Sequence, residues 1–148
     1  MKKFTKIYDL TQIETVAKLL LENLEPMSVL ALSGELGAGK TTLAQSIGNQ
    51  LGVVEQMVSP TYIIHRTYQT TDPLIKFIHH LDFYRLQDSE DTLEGLGIPE
   101  LLADPSALTI IEWPENINDE LAQDKIIWVK LERISDEERK ITVSDTFH

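Results

Sequence analysis

Residues 34–41 read Gly34-Glu35-Leu36-Gly37-Ala38-Gly39-Lys40-Thr41 and fill the pattern G-x-x-x-x-G-K-[ST] at every fixed position. Each position has a physical reason. Glycines let the backbone turn its N–H groups inward and approach phosphate oxygens closely. A helix beginning at the lysine adds unsatisfied N–H groups and the positive end of its dipole to the same anion. Lys40 is a point charge for the β and γ phosphates, and the Thr41 hydroxyl can ligate Mg²⁺. The bland alternative is a glycine turn that happens to precede a helix. A match of this length arises by chance in on the order of 1% of chains this size or fewer.

The flanks carry the context that a phosphate loop needs. Ser28 to Leu32 (SVLAL) reads as a short buried strand. After the loop, Leu43, Ala44, Ile47 and Leu51 form a helical apolar stripe, and Gly52 stands where a helix C-cap is expected. Upstream, Ile13, Val16, Ala17, Leu20 and Leu24 predict a helix that Pro26 ends, with Thr11 and Glu14 in capping-box spacing and a short strand before it. Downstream, Tyr62-Ile63-Ile64 and Ile75 to Leu81 predict strands separated by a polar turn at Thr70 to Pro73. Residues 88–103 predict short helices broken at Gly95, Gly97 and Pro99. Leu108 to Ile111 and Ile126 to Leu131 predict further strands, and Ile141 to Val143 a last one that closes the sheet. Strand and helix in alternation, with antiparallel strands toward the C-terminal half, predict one α/β domain over residues 1–148.

Bulk composition narrows the function. Thirteen basic against 24 acidic residues give a net charge of −11, which lacks the Lys/Arg surplus that binding to a phosphate backbone requires. Strong stand-alone nucleic-acid binding is therefore not expected. The chain has no Cys, so disulfides and thiolate metal sites are out of reach. Its apolar runs fall far short of the roughly 20 residues that span a bilayer, and no signal core follows the basic N-terminus. These features predict a cytoplasmic protein without a membrane segment.

A phosphate loop needs a second group at the metal, and two acids end apolar runs. Asp82 follows the apolar pair Phe77-Ile78, with His79 and His80 between and Leu81 directly before it, and Glu112 follows Thr109-Ile110-Ile111. Ligands of open α/β sheets sit beyond the carboxyl ends of strands, so either acid can reach the phosphates; either can equally be a solvated residue where a strand stops. Ser59-Pro60-Thr61-Tyr62 lies where switch segments lie, with an ordinary turn as the competing reading. His79 and His80 alternate across a strand, so at most one faces the site. Tyr84 and Arg85 suit a partner or phosphate contact, or a surface ion pair. Trp113 either flanks the nucleotide or packs in the core. The run Asp136-Glu137-Glu138 reads as a solvated turn. No N-K-x-D tetrad of the guanine-binding kind is present, which favours ATP.

As an ordered set these segments resemble the bacterial TsaE (YjeE) family of ATPases in tRNA threonylcarbamoyladenosine biosynthesis. The resemblance runs from Thr11 to Trp113. It comprises GxLGAGKTT at Gly34 to Thr42, the SPT-aromatic segment at Ser59 to Tyr62, and H-x-D-x-Y-R at His80, Asp82, Tyr84 and Arg85. Leu96-Gly97-Ile98 and I-E-W-P-E at Ile111 to Glu115 complete it. Glu35 and Tyr62 stand where the family often has Asp and Phe. The resemblance implies a P-loop three-layer α/β sandwich with a mixed, largely parallel sheet and weak intrinsic ATPase activity. It implies work beside the TsaD and TsaB subunits, which modify adenosine 37 of tRNA and which ATP hydrolysis resets. By the same resemblance Gly34 to Thr42 and Trp113 bind the nucleotide, and Lys40, Asp82 and Glu112 are catalytic. Thr41, Asp82 and Glu112 hold Mg²⁺ or position water; Ser59, Thr61 and Tyr62 form a switch; His80, Tyr84 and Arg85 contact a partner or phosphate.

Overall fold

The strand ahead of the phosphate loop, β2 (Val29–Ser33), is buried from Val29 to Leu32, as a strand covered on both faces must be. The computed structural model describes residues 3–60, 64–86, 92–116 and 126–146. Among these, the other strands are β1 (Phe4–Asp9), β3 (His65–Gln69), β4 (Phe77–Asp82), β5 (Ala107–Glu112), β6 (Ile126–Arg133) and β7 (Glu138–Ser144). They form one sheet in the order β1-β7-β6-β2-β5-β4-β3. Pairs β6–β2, β2–β5 and β5–β4 are parallel, whereas β1–β7, β7–β6 and β3–β4 are antiparallel. Taken with β2, strands β1, β4, β5 and β6 run one way and only β3 and β7 oppose them. The sheet is mixed and largely parallel, as its sequence implies.

Register places the site. Leu32 of β2 lies opposite Glu112 of β5, and Glu112 lies opposite Asp82 of β4. Three adjacent strands therefore end level, delivering the glycine loop, Glu112 and Asp82 side by side. Helices α1 (Ile13–Leu21) and α2 (Lys40–Gln50) cover the face that carries Leu30, Leu32, Ile78, Leu108 and Ile110. The opposite face packs Val29, Ala31, Leu81 and Ile111 against Phe83, Leu86 and Ile98, the last on the short α3 (Ile98–Leu102). Because side chains alternate along a strand, His80, Asp82 and Glu112 point to the α2 side and His79 to the other.

Several local expectations shift. The capping box ahead of α1 is made by Asp9 and Gln12, not by Thr11 and Glu14. Asp9 Oδ1 accepts from Thr11 N at 2.9 Å and from the Thr11 hydroxyl at 2.8 Å, while Gln12 Oε1 accepts from Asp9 N at 3.0 Å. Thr11 is thereby a donor to the cap and not the cap itself, and Leu24 packs against the core beyond the helix end. Pro99 lies in the first turn of α3 where a break was expected, because a first-turn position needs no N–H. β7 does not close the sheet but lies between β6 and β1. The strand expected at 62–64 starts at His65; Ile64 is a bend with φ of 71°, and residues 62 and 63 lie outside the described residues. Gly52 does follow α2 in the left-handed conformation, with φ of 85°.

On the face away from α2, His79 Nε2 meets Asp104 Oδ2 at 2.8 Å and His79 Nδ1 meets the Thr67 hydroxyl at 2.8 Å. Asp104 also accepts from Ser106 N at 3.0 Å and from its hydroxyl at 2.8 Å, and these bonds, the backbone one first, lower its pKa below 3.8. A depressed carboxylate contributes stability that is complete above its unfolded value and is lost as pH falls through the folded one. Asp104→Asn should therefore lower the Tm by a few degrees at pH 7, and thermal melts should show the gap to wild type closing as the pH drops below 3.8.

Candidate nucleotide site

The loop is shaped by three glycines with positive φ: Gly34 at 149°, Gly37 at 80° and Gly39 at 104°. Gly39 is the N-cap of α2 and offers no side chain to its first turn. The first-turn N–H groups of α2 have no intrahelical acceptor, and Lys40, Thr41 and Thr42 of that turn border the cleft, which suits the helix start to an anion. Lys40 is only 6% exposed. Its Nζ donates to the Gly34 carbonyl and to the Glu35 carbonyl at 3.4 Å, and it stands 3.9 Å from the centre of the Trp113 ring. Burial lowers the Lys40 pKa, and Glu112, Glu115 and Asp82 partly oppose that. Trp113 reaches this place with φ of 60°, a conformation that costs a non-glycine residue on the order of 1 kcal/mol.

The two acids are brought together beside the loop. Thr41 Oγ1 donates to Glu112 Oε1 at 3.0 Å, and His80 Nε2 lies 2.6 Å from Glu112 Oε2. Asp82 Oδ2 accepts from the Ser59 hydroxyl at 2.7 Å, and its Oδ1 from the Tyr84 N–H at 2.9 Å. The Tyr84 ring lies 4.9 Å from that of Trp113. Glu115, on the turn after Trp113, has its pKa raised by burial and adds a third acid to the surroundings of Lys40.

A cleft of about 480 Å³ runs from Asp82 and Tyr84 over the loop to Leu10 and Arg139. Glu35, Leu36, Gly37, Gly39, Lys40, Thr41, Thr42, Ser59, Glu112 and Trp113 also border it, whereas Gly34 and Ala38 lie behind the loop. Thr61 and Tyr62 lie outside the described residues. His80 is fully buried, so the direct partner or phosphate contact expected of it gives way to the bond with Glu112. Arg85 is exposed on the turn beyond Tyr84 and does not line the cleft.

Arg139 was not singled out by sequence reasoning. It comes from β7, is 8% exposed, and donates from Nη2 to the Gly37 carbonyl at 3.2 Å. Its Nη1 donates to the carbonyls of Ser135 at 2.7 Å and Glu138 at 3.0 Å. The only sequence signal was a basic residue just after an acidic turn.

The donor set fits a hard divalent cation and a polyphosphate. A hydroxyl and two buried carboxylates stand beside the glycine loop and its one lysine, which is oxygen chemistry of the Mg²⁺ kind. No helix among the described residues is long and apolar enough to cross a membrane.

A family profile described as "Threonylcarbamoyl adenosine biosynthesis protein TsaE" matches residues 7–141. The tRNA threonylcarbamoyladenosine biosynthesis protein TsaE of Bacillus subtilis is 33% identical over 131 residues, covering 88% of this chain and 78% of that protein. The protein of the same name from Streptomyces coelicolor is 37% identical over 123 residues, covering 78% of each chain. That from Mycobacterium tuberculosis is 36% identical over 130 residues, covering 86% of this chain and 77% of its own. The crystal structure of Bacillus subtilis YdiB superposes with a TM-score of 0.70 at 23% identity, covering 99% of this chain and 89% of the other, and so shares the fold.

The loop glycines should differ in what they tolerate. A Cβ on Gly34 would stand 2.5 Å from the Leu131 carbonyl oxygen, whereas one on Gly37 meets nothing within 4 Å. Gly34→Ala should cost about 2–4 kcal/mol through clash and strain, and Gly37→Ala only about 1–2 kcal/mol through its left-handed backbone. Urea unfolding of both variants checks the order.

Proposed function

This chain belongs to the TsaE family of threonylcarbamoyl adenosine biosynthesis proteins, and on that premise we propose that it is a P-loop ATPase serving the threonylcarbamoyl modification of tRNA. The observation that carries the reading is the 3.0 Å bond from Thr41 to Glu112. It joins the loop hydroxyl that suits a metal to an acid at the end of the neighbouring parallel strand, the pairing that phosphate-loop chemistry uses.

The residues divide the work. Backbone N–H groups of the loop and the Lys40 ammonium bind the β and γ phosphates of ATP. Thr41 and Glu112 are the cation side of the site. When bound, Mg²⁺ would neutralise charge on the phosphate oxygens. To Asp82, held from two sides by Ser59 and the Tyr84 N–H, we assign the orientation of the water that attacks the γ-phosphate, yielding ADP and phosphate. Trp113 closes over Lys40 and excludes solvent from its charge. Ser59, tied to Asp82, couples the segment around Thr61 and Tyr62 to the same centre, the role of a switch.

Slow turnover in isolation follows from the charges. Lys40 and Arg139 are the cationic side chains that line the cleft among the described residues, and Arg139 donates to carbonyls of the loop and of its own strand turn. A partner that completes the charge stabilisation would then accelerate hydrolysis. We assign that part to the TsaD and TsaB subunits, with Tyr84 and Arg85 at the rim as contacts and the modification of adenosine 37 as the process served.

Following the γ-phosphate of labelled ATP tests the proposal. Phosphate release should rise strongly on adding a TsaB–TsaD complex, fall at least about 100-fold in Lys40→Ala, and fall comparably in Glu112→Gln with nucleotide still bound. Near-normal release by Lys40→Ala would sink the scheme, and transfer of the label to an added metabolite would make the protein a kinase.

A further inference from the structure

His80 has no role in the scheme above, yet it is 0% exposed and bonds Glu112, one of the two buried acids of the site. A fully buried imidazole in a strand of phosphate-loop architecture calls for a reason. We infer that His80 is the positioning residue for Glu112: it fixes the carboxylate so that Oε1 faces Thr41 and the cation position. This inference rests on the ATPase reading for its consequence, although its geometry stands alone.

The geometry is a relay. Thr41 Oγ1 donates to Oε1 of Glu112 at 3.0 Å, and His80 Nε2 stands 2.6 Å from Oε2. An ionised carboxylate only accepts, so Nε2 carries the hydrogen. The other ring nitrogen, Nδ1, is buried with no hydrogen-bond partner. A proton there would be a buried donor without an acceptor, so Nδ1 is the bare nitrogen and the ring is the neutral Nε2–H tautomer. Glu112 is 3% exposed, and a carboxylate that far from water requires a donor on each oxygen.

Strand geometry explains why histidine does this. His80 pairs in register with Ile110, two residues before Glu112, and both side chains project to the α2 face. The donor must therefore reach diagonally across to the next strand. Nε2, at the far end of the ring, has that reach, and an asparagine amide at the same position does not. The spacing H-x-D also puts Asp82 on the same face, so β4 supplies one acid of the site and the donor that orients the other. Donors behind metal-facing carboxylates typically change metal affinity by about 10–100-fold when removed.

The test uses the full chain with ADP and Mg²⁺ as probes. Calorimetric titration of ADP at several Mg²⁺ concentrations, and in EDTA, should show the Mg²⁺-dependent gain in affinity reduced about 10–100-fold in His80→Leu. Binding in EDTA should stay within about two-fold, since the loop and Lys40 are untouched. His80→Gln, whose amide nitrogen reaches the Nε2 position, should recover most of the loss. An unchanged Mg²⁺ dependence in His80→Leu, or no recovery in His80→Gln, would overturn the inference; a merely structural histidine would shift the Tm and leave that dependence alone. Should His80→Leu fail to fold, long-range ¹H–¹⁵N spectra of the wild type decide: Nε2–H with a bare Nδ1 is expected, and the opposite tautomer refutes it. Wild type that shows this tautomer but binds no nucleotide would keep His80 as the donor to Glu112 and remove the ATPase reading instead.

Discussion

Two carboxylates and an ammonium are held almost out of water at one end of the sheet, and that is the constraint from which the rest of the structure follows. Each such charge costs several kcal/mol to bury unless its surroundings satisfy it. Asp82 and Glu112 are each 3% exposed and Lys40 6%. Each is met in full by groups from other parts of the chain. Glu112 of β5 takes its donors from α2 and β4; Asp82 of β4 takes them from the Ser59 segment and the turn at Tyr84. Lys40 rests on the carbonyls of its own loop and beneath Trp113. The same bonds that satisfy the charges also tie the glycine loop, α2, β4 and β5 to one another. Fold and site are thus one set of interactions, and neither can be loosened without leaving a bare charge.

That interdependence decides what could be read from the sequence. The loop was legible because its chemistry is written in eight consecutive residues, and a local backbone shape needs only local information. The sheet's main strands were legible because burial on both faces leaves unbroken apolar runs such as Val29-Leu30-Ala31-Leu32. Apart from the family resemblance, Asp82 and Glu112 were visible only as acids at strand ends. Their convergence depends on the pairing of β4 with β5, which no periodicity encodes. His80 illustrates the gap: its bond is to a residue 32 positions away, and adjacent histidines looked alike until the strand's alternation was fixed. Arg139 was harder still, 102 positions from the Gly37 carbonyl that it bonds and set beside an acidic run that advertises solvent. The errors at α1 and Pro99 were of another kind, since two capping residues or two meanings of proline compete within a few residues and a small energy difference selects between them.

The charge balance of the cleft adds a further step. Lys40 faces Glu112, Asp82 and Glu115, and Glu35 borders the same space, so acids outnumber the ammonium around the loop. An ATP polyphosphate brought there without a cation would add negative charge beside two fixed carboxylates. Unit like charges about 5 Å apart repel by about 3 kcal/mol at an effective dielectric of 20, which offsets one or two of the backbone N–H bonds to a charged phosphate. A divalent cation reverses that sign for both acids at once. On the ATPase reading, nucleotide and cation therefore enter as a linked pair, and the carboxylates that oppose the nucleotide alone become the reason it stays. The bond from Thr41 to Glu112 holds the acid in place until then, so that little reorganisation is left for the moment of binding.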